Sequence, residues 1–296
     1  MANGQPLVSI LLLSMNHEQF IVQCIESLKS QTYKNIEIIY LDNASSDATY
    51  QMAQSLLEQS GFPYKCFQQQ PSRSISANLN FLFENSSGEY ISPLSTDDWF
   101  EPNNIEEKVN YLADHASCGA VFSNGWTYYD AEKQLELNDV NLLREGHLYR
   151  EVLTHPGCVF YVGMLYKRSI LEKVGKWDES LKIEDVDMYI RIGLIATINF
   201  LTSPLVYYRR TSTSVSKNKD FMIAGFNQYF DKYKTADWIN MKHWLSEKYR
   251  SLAADAVDHK NNGEARSFLL EAFKLNPWGA KNCRTLLYYL RRSLTS

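Results

Sequence analysis

The sequence predicts an α/β fold, in which a mostly parallel sheet with helices on both faces spans residues 1–218 and a helical C-terminal extension spans residues 219–296. Two observations predict the sheet domain. Short apolar runs typical of buried strands fill the first half of the chain, and they alternate with helical patterns, which is the signature of a parallel sheet covered on both faces. A third observation predicts the extension, because only helical periodicity remains after Ser216.

The first half of the chain contains four predicted strands and three predicted helices. Strands are predicted at residues 7–13, 36–41, 64–67 and 90–94, and helices at 20–28, 49–57 and 75–83. In sheets of this kind, ligands bind beyond the carboxyl ends of the strands. Asp42 follows the second strand, and Asp97 and Asp98 follow the fourth. We therefore expect these acids at one edge of the sheet.

The middle of the chain is less regular. A helix is predicted at 102–112, two strands at 120–122 and 127–129, and a surface loop at 130–146. A short helix at 169–175 ends at a glycine, and a helix at 184–192 is acidic at its front and apolar behind. In the extension, a helical stripe is interrupted at 261–263 and resumes over 265–275, which predicts a helical hairpin.

Composition restricts the class of protein. The chain has 296 residues, 45% of them hydrophobic and 22% charged, as in globular proteins with a substantial core. The net charge of −4 argues against nucleic acid as a partner. Five dispersed cysteines without a CxxC favour a reducing compartment over a zinc site or a disulfide framework. No signal peptide is recognised, so we expect a cytoplasmic protein, with peripheral attachment to the inner membrane face left open.

Several common nucleotide and catalytic motifs are absent from the sequence. No GxGxxG follows the first strand, and neither GxxxxGK[ST] nor GxSxG occurs. The chemistry-bearing groups that remain are six acids: Asp42, Asp97, Asp98, Glu184, Asp185 and Asp187. Adjacent carboxylates at a strand end suit a hard divalent cation, although helix capping or plain solvation would explain them as well.

Six segments together resemble the inverting family 2 glycosyltransferases of GT-A fold, in order and spacing over residues 6–215. They are residues 8–10 with Asn16, 27–33, 38–47, 88–91, 97–99 and 184–191. The resemblance implies a nucleotide-sugar donor, most often a UDP-sugar, and a divalent cation (Mn²⁺ or Mg²⁺) on its diphosphate. It also implies a carboxylate base that activates a hydroxyl of a saccharide or lipid-linked acceptor, in a setting such as bacterial polysaccharide assembly.

The resemblance also implies roles for individual residues. Asp185 stands at the position of the base with Glu184 beside it, Asp97 at that of the metal ligand, and Asp42 at that of the acid that contacts the nucleobase. The residues expected to bind the donor are Ser9, Asn16, Asp42, Arg73, Asn80, Asp98 and Trp99. Residues 155–157 are expected to shape the acceptor pocket.

Three positions depart from the family pattern. Ser95 and Thr211 replace residues that usually ligate the metal, and Leu79 replaces an arginine. Arg73 or Arg209 could then supply the charge that faces the phosphates, unless either is simply a surface arginine. The departures keep open a non-catalytic nucleotide-sugar-binding module, and the acid pair keeps open a nucleotidyltransferase.

The C-terminal tail is basic and amphipathic. Arg284, Arg291 and Arg292 alternate with the apolar and aromatic residues of 286–290. Such a segment is expected to contact an anionic membrane surface or a partner enzyme, or to pack on the catalytic domain.

Overall fold

The computed structural model describes residues 4–155, 157–211 and 218–293. The chain divides into two compact units, Met1–Lys217 and Asn218–Ser296. The predicted boundary at residue 218 adjoins residues 212–217, which lie outside the described part, as does Pro156 of the segment expected to shape the acceptor pocket.

The first unit is built on a nine-stranded sheet with helices on its faces. Its strands are β1 (Val8–Ser14), β2 (Ile36–Asn43), β3 (Tyr64–Gln69), β4 (Tyr90–Ser95), β5 (Trp99–Phe100), β6 (Cys118–Tyr129), β7 (Gln134–Leu137), β8 (Leu165–Lys167) and β9 (Thr197–Arg210). Its helices are α1 (Ile21–Lys29), α2 (Thr49–Glu58), α3 (Ile75–Glu84), α4 (Asn104–Asp114), α5 (Glu151–Thr154), α6 (Arg168–Val174) and α7 (Asp185–Gly193). The strand order is β3-β2-β1-β4-β8-β6-β9-β5, with β7 paired to β6.

The first half of the sheet is parallel and deeply buried. β1 pairs in parallel with both β2 and β4, and β2 pairs in parallel with β3. Nearly every residue of β1 and all of β2 are buried, as expected when helices cover both faces. The predicted fold is therefore confirmed.

The register aligns the carboxyl ends of these strands. Ser14 of β1 lies opposite Asp42 of β2, and Asp42 lies opposite Gln68 of β3. Leu13 lies opposite Ser95, the last residue of β4. Four strand ends therefore meet at one edge, where their loops can form a site together.

The second half of the sheet differs from the sequence prediction. The two strands predicted at 120–122 and 127–129 are one continuous strand, β6. The predicted loop at 130–146 contains β7 and a 3₁₀ turn at Val140–Leu142. β9 was not predicted; it runs parallel to β6 through two irregularities in register. Such pairing joins residues about eighty positions apart, and local periodicity carries no signal for it.

The second unit is helical. It consists of α8 (Lys219–Tyr233), α9 (Met241–Asp258), α10 (Asn262–Leu275) and α11 (Ala280–Ser293). Asparagines cap the first three of these helices; at α9, for example, the Asn240 side chain accepts a hydrogen bond from His243 N at 3.0 Å. The buried amide of Asn282 on α11 donates to Ser246 Oγ at 3.1 Å and to Ala272 O at 3.1 Å, so it ties α11 to α9 and α10. Within the described ranges, no helix combines the length and apolar character needed to cross a bilayer.

Candidate active site

Asp42 lies at the centre of the aligned strand ends. Its side chain is buried, and its Oδ1 accepts hydrogen bonds from Ser45 N at 3.0 Å and from Gln68 Nε2 at 3.3 Å. Its Oδ2 accepts from Ser14 Oγ at 3.3 Å. Groups from β1, β3 and the loop after β2 therefore hold this carboxylate in one orientation.

Asn16 joins the loops that follow β1 and β2. It adopts a left-handed backbone conformation (φ 56°), which asparagine tolerates better than most residues. Its Oδ1 accepts from Ser46 N at 2.9 Å, and its own N–H donates to Ser45 Oγ at 2.8 Å. The two loops consequently keep a fixed separation above the sheet edge.

A network of amide side chains shapes the segment between β3 and α3. Asn43 Oδ1 accepts from Gln69 Nε2 at 2.7 Å and from Arg73 N at 2.9 Å, and Asn43 Nδ2 donates to Arg73 O at 3.1 Å. Gln69 Nε2 also donates to Asn78 Oδ1 at 2.6 Å. The backbone of Arg73 is thus held in place while its side chain is exposed beside the strand ends.

Asp97 and Asp98 occupy different environments after β4. Asp98 is buried, and its Oδ1 accepts from Arg209 N at 2.8 Å, so it ties the strand end to β9. Burial, and after it the charge of Asp97, raises the pKa of Asp98. Asp97 is less buried, yet its Oδ1 is inaccessible to solvent and has no hydrogen-bond partner among the described residues. An orphaned carboxylate oxygen of this kind is an available ligand for a cation.

Arg209 is not a surface arginine, and its guanidinium does not face an open phosphate site. The residue is 6% exposed, and its guanidinium donates to Asp97 O, Asp130 Oδ1 and Gln23 Oε1 at 3.0, 2.8 and 2.5 Å. It also lies 4.7 to 5.0 Å from the ring centroids of Phe20, Trp99 and Tyr128. These contacts commit the guanidinium to holding the strand end that bears Asp97.

Trp99 packs beside the Arg209 guanidinium and the acids after β4. Its ring stacks on Tyr207 with a centroid separation of 4.7 Å and an interplanar angle of 7°. Because this contact and the Arg209 guanidinium occupy much of the ring, Trp99 acts first as packing beside the acids.

His17, which no sequence motif singled out, also lies at this edge. Its Nδ1 is 2.8 Å from Thr96 Oγ1, and its ring packs edge-on against Phe20. Burial lowers the pKa of His17, while the charge of Asp97 opposes this effect. Its position directly after Asn16, in a loop that leaves a strand end, was the signal that could have found it.

Glu184 and Asp185 begin α7. Burial, and after it the neighbouring Asp185 carboxylate, raises the pKa of Glu184 to about 8. Burial also raises the pKa of Asp185, although Val186 N donates to its Oδ1 at 2.7 Å. A carboxylate with a raised pKa is a stronger base, so this pair suits proton abstraction from a hydroxyl.

A cleft of about 220 Å³ brings Glu184 together with the end of β4. The residues that line it include Ser95 and Asp98, from the end of β4, together with Tyr161 and Glu184. These residues lie up to ninety positions apart in the sequence. The cleft therefore brings one acid of the α7 pair to the strand end that bears Asp97 and Asp98.

Ser9 and Asn80 lie elsewhere. Ser9 is at the amino end of β1, on the opposite edge of the sheet from Asp42, and its hydroxyl donates to Glu37 Oε1 at 2.6 Å. Asn80 accepts from Trp177 N at 3.0 Å and donates to Trp177 O at 2.9 Å. Both side chains are committed to holding the fold, so neither is retained in the proposed donor site.

The replacement of the family's arginine changes one wall of the cleft. Leu79 is 6% exposed and lines the cleft beside Leu94, so this wall is apolar. Over the described ranges no group of three or more His, Cys, Asp or Glu side chains is arranged to hold a metal ion. A cation here would therefore need ligands from its substrate in addition to Asp97.

Comparison with known proteins identifies the family. A model described as Glycosyl transferase family 2 matches residues 9–175, more than half of the chain. An uncharacterized glycosyltransferase of Rickettsia typhi (strain ATCC VR-144 / Wilmington) is 27% identical over 283 residues, covering 90% of this chain and 83% of that protein. Glycosyltransferase GlyA of Streptococcus pneumoniae serotype 4 is 25% identical over 223 residues, covering 71% of this chain and 31% of GlyA.

Solved structures share the fold. S. aureus TarS 1-349 in complex with UDP-GlcNAc superposes with a TM-score of 0.68 at 15% identity, covering 96% of this chain and 87% of that one. The mannosyltransferase PcManGT of Pyrobaculum calidifontis, in complex with GDP-Man and Mn²⁺, superposes with a TM-score of 0.57 at 14% identity, covering 98% and 86%. The chain belongs to glycosyl transferase family 2 and is a glycosyltransferase of GT-A fold.

Proposed function

We propose that the protein transfers a sugar from a UDP-sugar to a hydroxyl of a saccharide or lipid-linked acceptor, with inversion at the anomeric carbon. The observation that carries this proposal is the cleft that brings Glu184, next to Asp185, to the strand end bearing Asp97 and Asp98. Inverting displacement needs a base on one side of the sugar and stabilisation of the leaving diphosphate on the other. A role in polysaccharide assembly follows as the expected setting.

We assign Asp185 as the base that takes the acceptor proton. Glu184 is the neighbouring acid, and the two carboxyl groups share a proton. Asn16, Asp42 and Arg73 are proposed to contact the donor, with Asp98 and Trp99 holding the strand end in place. The pair at α7 is suited to its part because burial keeps a carboxylate basic enough to accept a hydroxyl proton near neutral pH.

A divalent cation, Mn²⁺ or Mg²⁺, fits this site through Asp97. The orphaned Oδ1 of Asp97 supplies one oxygen ligand, and diphosphate oxygens and water complete the shell that such ions prefer. When bound, the cation supplies positive charge that neutralises the leaving diphosphate. Because Leu79 makes this wall apolar, the wall itself contributes no positive charge, and the cation neutralises most of the charge on the diphosphate.

Donor binding is expected to depend on the cation. In a thermal-shift screen of UDP-GlcNAc, UDP-glucose, UDP-galactose and GDP-mannose, a UDP-sugar should raise the melting temperature with Mn²⁺ but much less with excess EDTA. A ligand present at one hundred times its Kd stabilises the folded state by about 2.7 kcal/mol. Asp97→Asn should remove the difference between Mn²⁺ and EDTA, and equal UDP affinity in both conditions would contradict the role of Asp97.

Turnover separates the proposal from its alternatives. Release of UDP over time from the stabilising donor supports a transferase, and binding without release would indicate a nucleotide-sugar-binding module. A nucleotidyltransferase would release pyrophosphate instead.

The helical unit is proposed to contact an anionic membrane surface through α11. Residues 218–296 contain 13 Lys and Arg against 8 Asp and Glu, whereas residues 1–217 contain 17 against 26. α11 carries four of these basic residues and no acidic one, and Leu287 and Leu290 on the same helix are 57% and 45% exposed. Trp278, just before α11, is 94% exposed. Basic charge beside exposed apolar side chains is typical of helices that lie at a membrane interface.

Co-sedimentation with vesicles tests this contact. Binding is expected to vesicles of phosphatidylcholine with phosphatidylglycerol, and not to phosphatidylcholine alone. Because each basic residue near an anionic surface contributes about 1 kcal/mol, the triple change of Arg284, Arg291 and Arg292 to Gln should weaken binding by about a hundredfold.

The control for this test removes the same charge elsewhere in the unit. Changing the exposed Lys232, Lys234 and Lys242 to Gln should leave vesicle binding nearly unaltered. An equal loss in both triple variants would show a general charge effect and would count against α11 as the contact.

A further inference from the structure

Residues 161–163, here called the Tyr161 loop, line the same cleft as the end of β4. All three residues line the cleft that also contains Asp98 and Glu184. Tyr161 is 44% exposed. Among the described residues, no other large apolar side chain that is exposed to this degree lines the cleft. Most of the other side chains that line the cleft are aliphatic, and Tyr161 is the aromatic ring that the described residues contribute to this lining.

The ring of Tyr161 is held in a defined position beside the acids of α7. It stacks on Tyr189 with a centroid separation of 6.0 Å and an interplanar angle of 17°. Burial is the main cause of the raised pKa of both tyrosines; the charge of Asp185 is the next cause for Tyr161, and for Tyr189 it comes after the neighbouring Tyr166. Both rings therefore lie within the electrostatic range of Asp185. One face of Tyr161 is thus supported by Tyr189, close to the acid assigned as the base.

The backbone of the loop is anchored from below. Gly163 has φ +66°, and a Cβ at this position would lie 2.7 Å from Phe100 Cε1 and 2.8 Å from Val206 Cγ1, so the backbone rests directly on the core. The fully buried Lys108 donates from Nζ to Gly163 O at 2.6 Å. Burying a lysine side chain costs free energy, and this hydrogen bond to Gly163 O offsets part of that cost while it fixes the position of the loop. A wall held in this way before a ligand arrives loses little entropy on binding.

We propose that Tyr161 is the acceptor-binding residue of the cleft and that it takes the apolar face of a pyranose ring whose hydroxyl points toward Asp185. The C–H groups on one face of a pyranose pack on an aromatic plane, and its hydroxyls remain directed at polar groups. The acceptor class is accordingly a saccharide. This inference depends on the proposed function and refines it, because it adds the residue that recognises the acceptor.

Two readouts test the proposal with the full-length protein. The first is saturation-transfer NMR of methyl β-D-glucopyranoside, methyl β-D-galactopyranoside and methyl N-acetyl-β-D-glucosaminide in the presence of UDP and Mn²⁺. At least one pyranoside should bind the wild type through its ring C–H face, and Tyr161→Ala should lose that signal. The second is the KM for the bound pyranoside as acceptor, which Tyr161→Ala should raise by about tenfold.

Matched variants distinguish stacking from other effects. Tyr161→Phe keeps the aromatic plane and should behave like the wild type. Tyr64→Ala removes a similarly exposed tyrosine from β3 and should change neither readout.

Several results would overturn the proposal. These are an unchanged acceptor KM in Tyr161→Ala, an equal rise in the donor KM, or binding of no pyranoside by a wild-type protein that still binds the UDP-sugar. Transfer to a polyprenyl phosphate but to no pyranoside would also overturn it, because the acceptor would then be a lipid phosphate. Failure to bind any nucleotide sugar would instead refute the proposed function, so the two failures are distinguishable.

Discussion

Asp185→Asn is expected to lower the rate of sugar transfer by about 10²- to 10⁴-fold, the range that a general base contributes. Asparagine has the size of aspartate and can still accept the hydrogen bond from Val186 N, but it cannot take a proton from the acceptor hydroxyl. Because burial disfavours the charged carboxylate, the melting temperature should not fall, and UDP affinity should be retained. Rates are measured as UDP release at saturating donor and acceptor, and affinity by calorimetry.

Asp187→Asn is the matched control on the same helix. Asp187 is fully buried and pairs with Arg191 at 2.7 Å. Neutralising it leaves Arg191 without its carboxylate, so stability should drop while kcat changes little. If Asp185→Asn behaved in this way, or turned over at the wild-type rate, Asp185 would be a structural acid.

The same assignment fixes the direction of the pH dependence. Since the pKa of Glu184 is raised to about 8 and that of Asp185 is also raised, the pair retains a proton at neutral pH. The ionised base becomes more abundant as pH rises, so kcat/KM should increase through the neutral range toward pH 8. The free energy of unfolding should instead decrease as pH rises through this range. Above the ordinary carboxyl pKa of about 4.5, the folded state still holds this proton and the unfolded state has released it.

Arg209→Met is expected to lower the free energy of unfolding by about 3 kcal/mol or more. The change removes hydrogen bonds to Asp130, Gln23 and the carbonyl of Asp97, and it removes the cation from among the surrounding aromatic rings. Arg209→Lys should recover little, since an ammonium cannot make the same planar set of contacts.

The location of the effect matters as much as its size. Hydrogen exchange should accelerate most in β5 and β9, which pair beside Arg209. Arg210→Met provides the control one position along, because Arg210 is exposed and its replacement should change stability by no more than about 0.5 kcal/mol. Equal urea midpoints for the two variants would show that the buried guanidinium of Arg209 stabilises the fold no more than the exposed one of Arg210.

The sequence allowed the parallel half of the sheet to be predicted because its signal is local. Each of β1, β2 and β4 is a short apolar run followed by polar residues, so the position of Asp42 or Asp97 at a strand end follows from the pattern itself. β9 depends on long-range pairing with β6, and its sequence mixes polar and apolar residues without regular alternation. No local rule distinguishes such a strand from a loop.

The candidate site was predictable to a similar extent. An acid after a strand can be assigned to an edge, but which polar side chain turns inward depends on tertiary partners. Asn80 binds Trp177 and Arg209 is enclosed by aromatic rings, and neither environment can be recognised from neighbouring residues. Ser9 is different, because its place near the start of β1 already puts it at the edge opposite Asp42.

The network formed by Asn43, Gln69 and Asn78 has a consequence for enzymology. Its hydrogen bonds are made by amides, which neither gain nor lose a proton between acid and alkaline pH. The segment that carries Arg73, which is proposed to contact the donor, should therefore keep its shape across the whole range in which Glu184 and Asp185 titrate. A pH–rate profile of this enzyme should report the ionisation of that acid pair, undistorted by a change in the architecture of this loop.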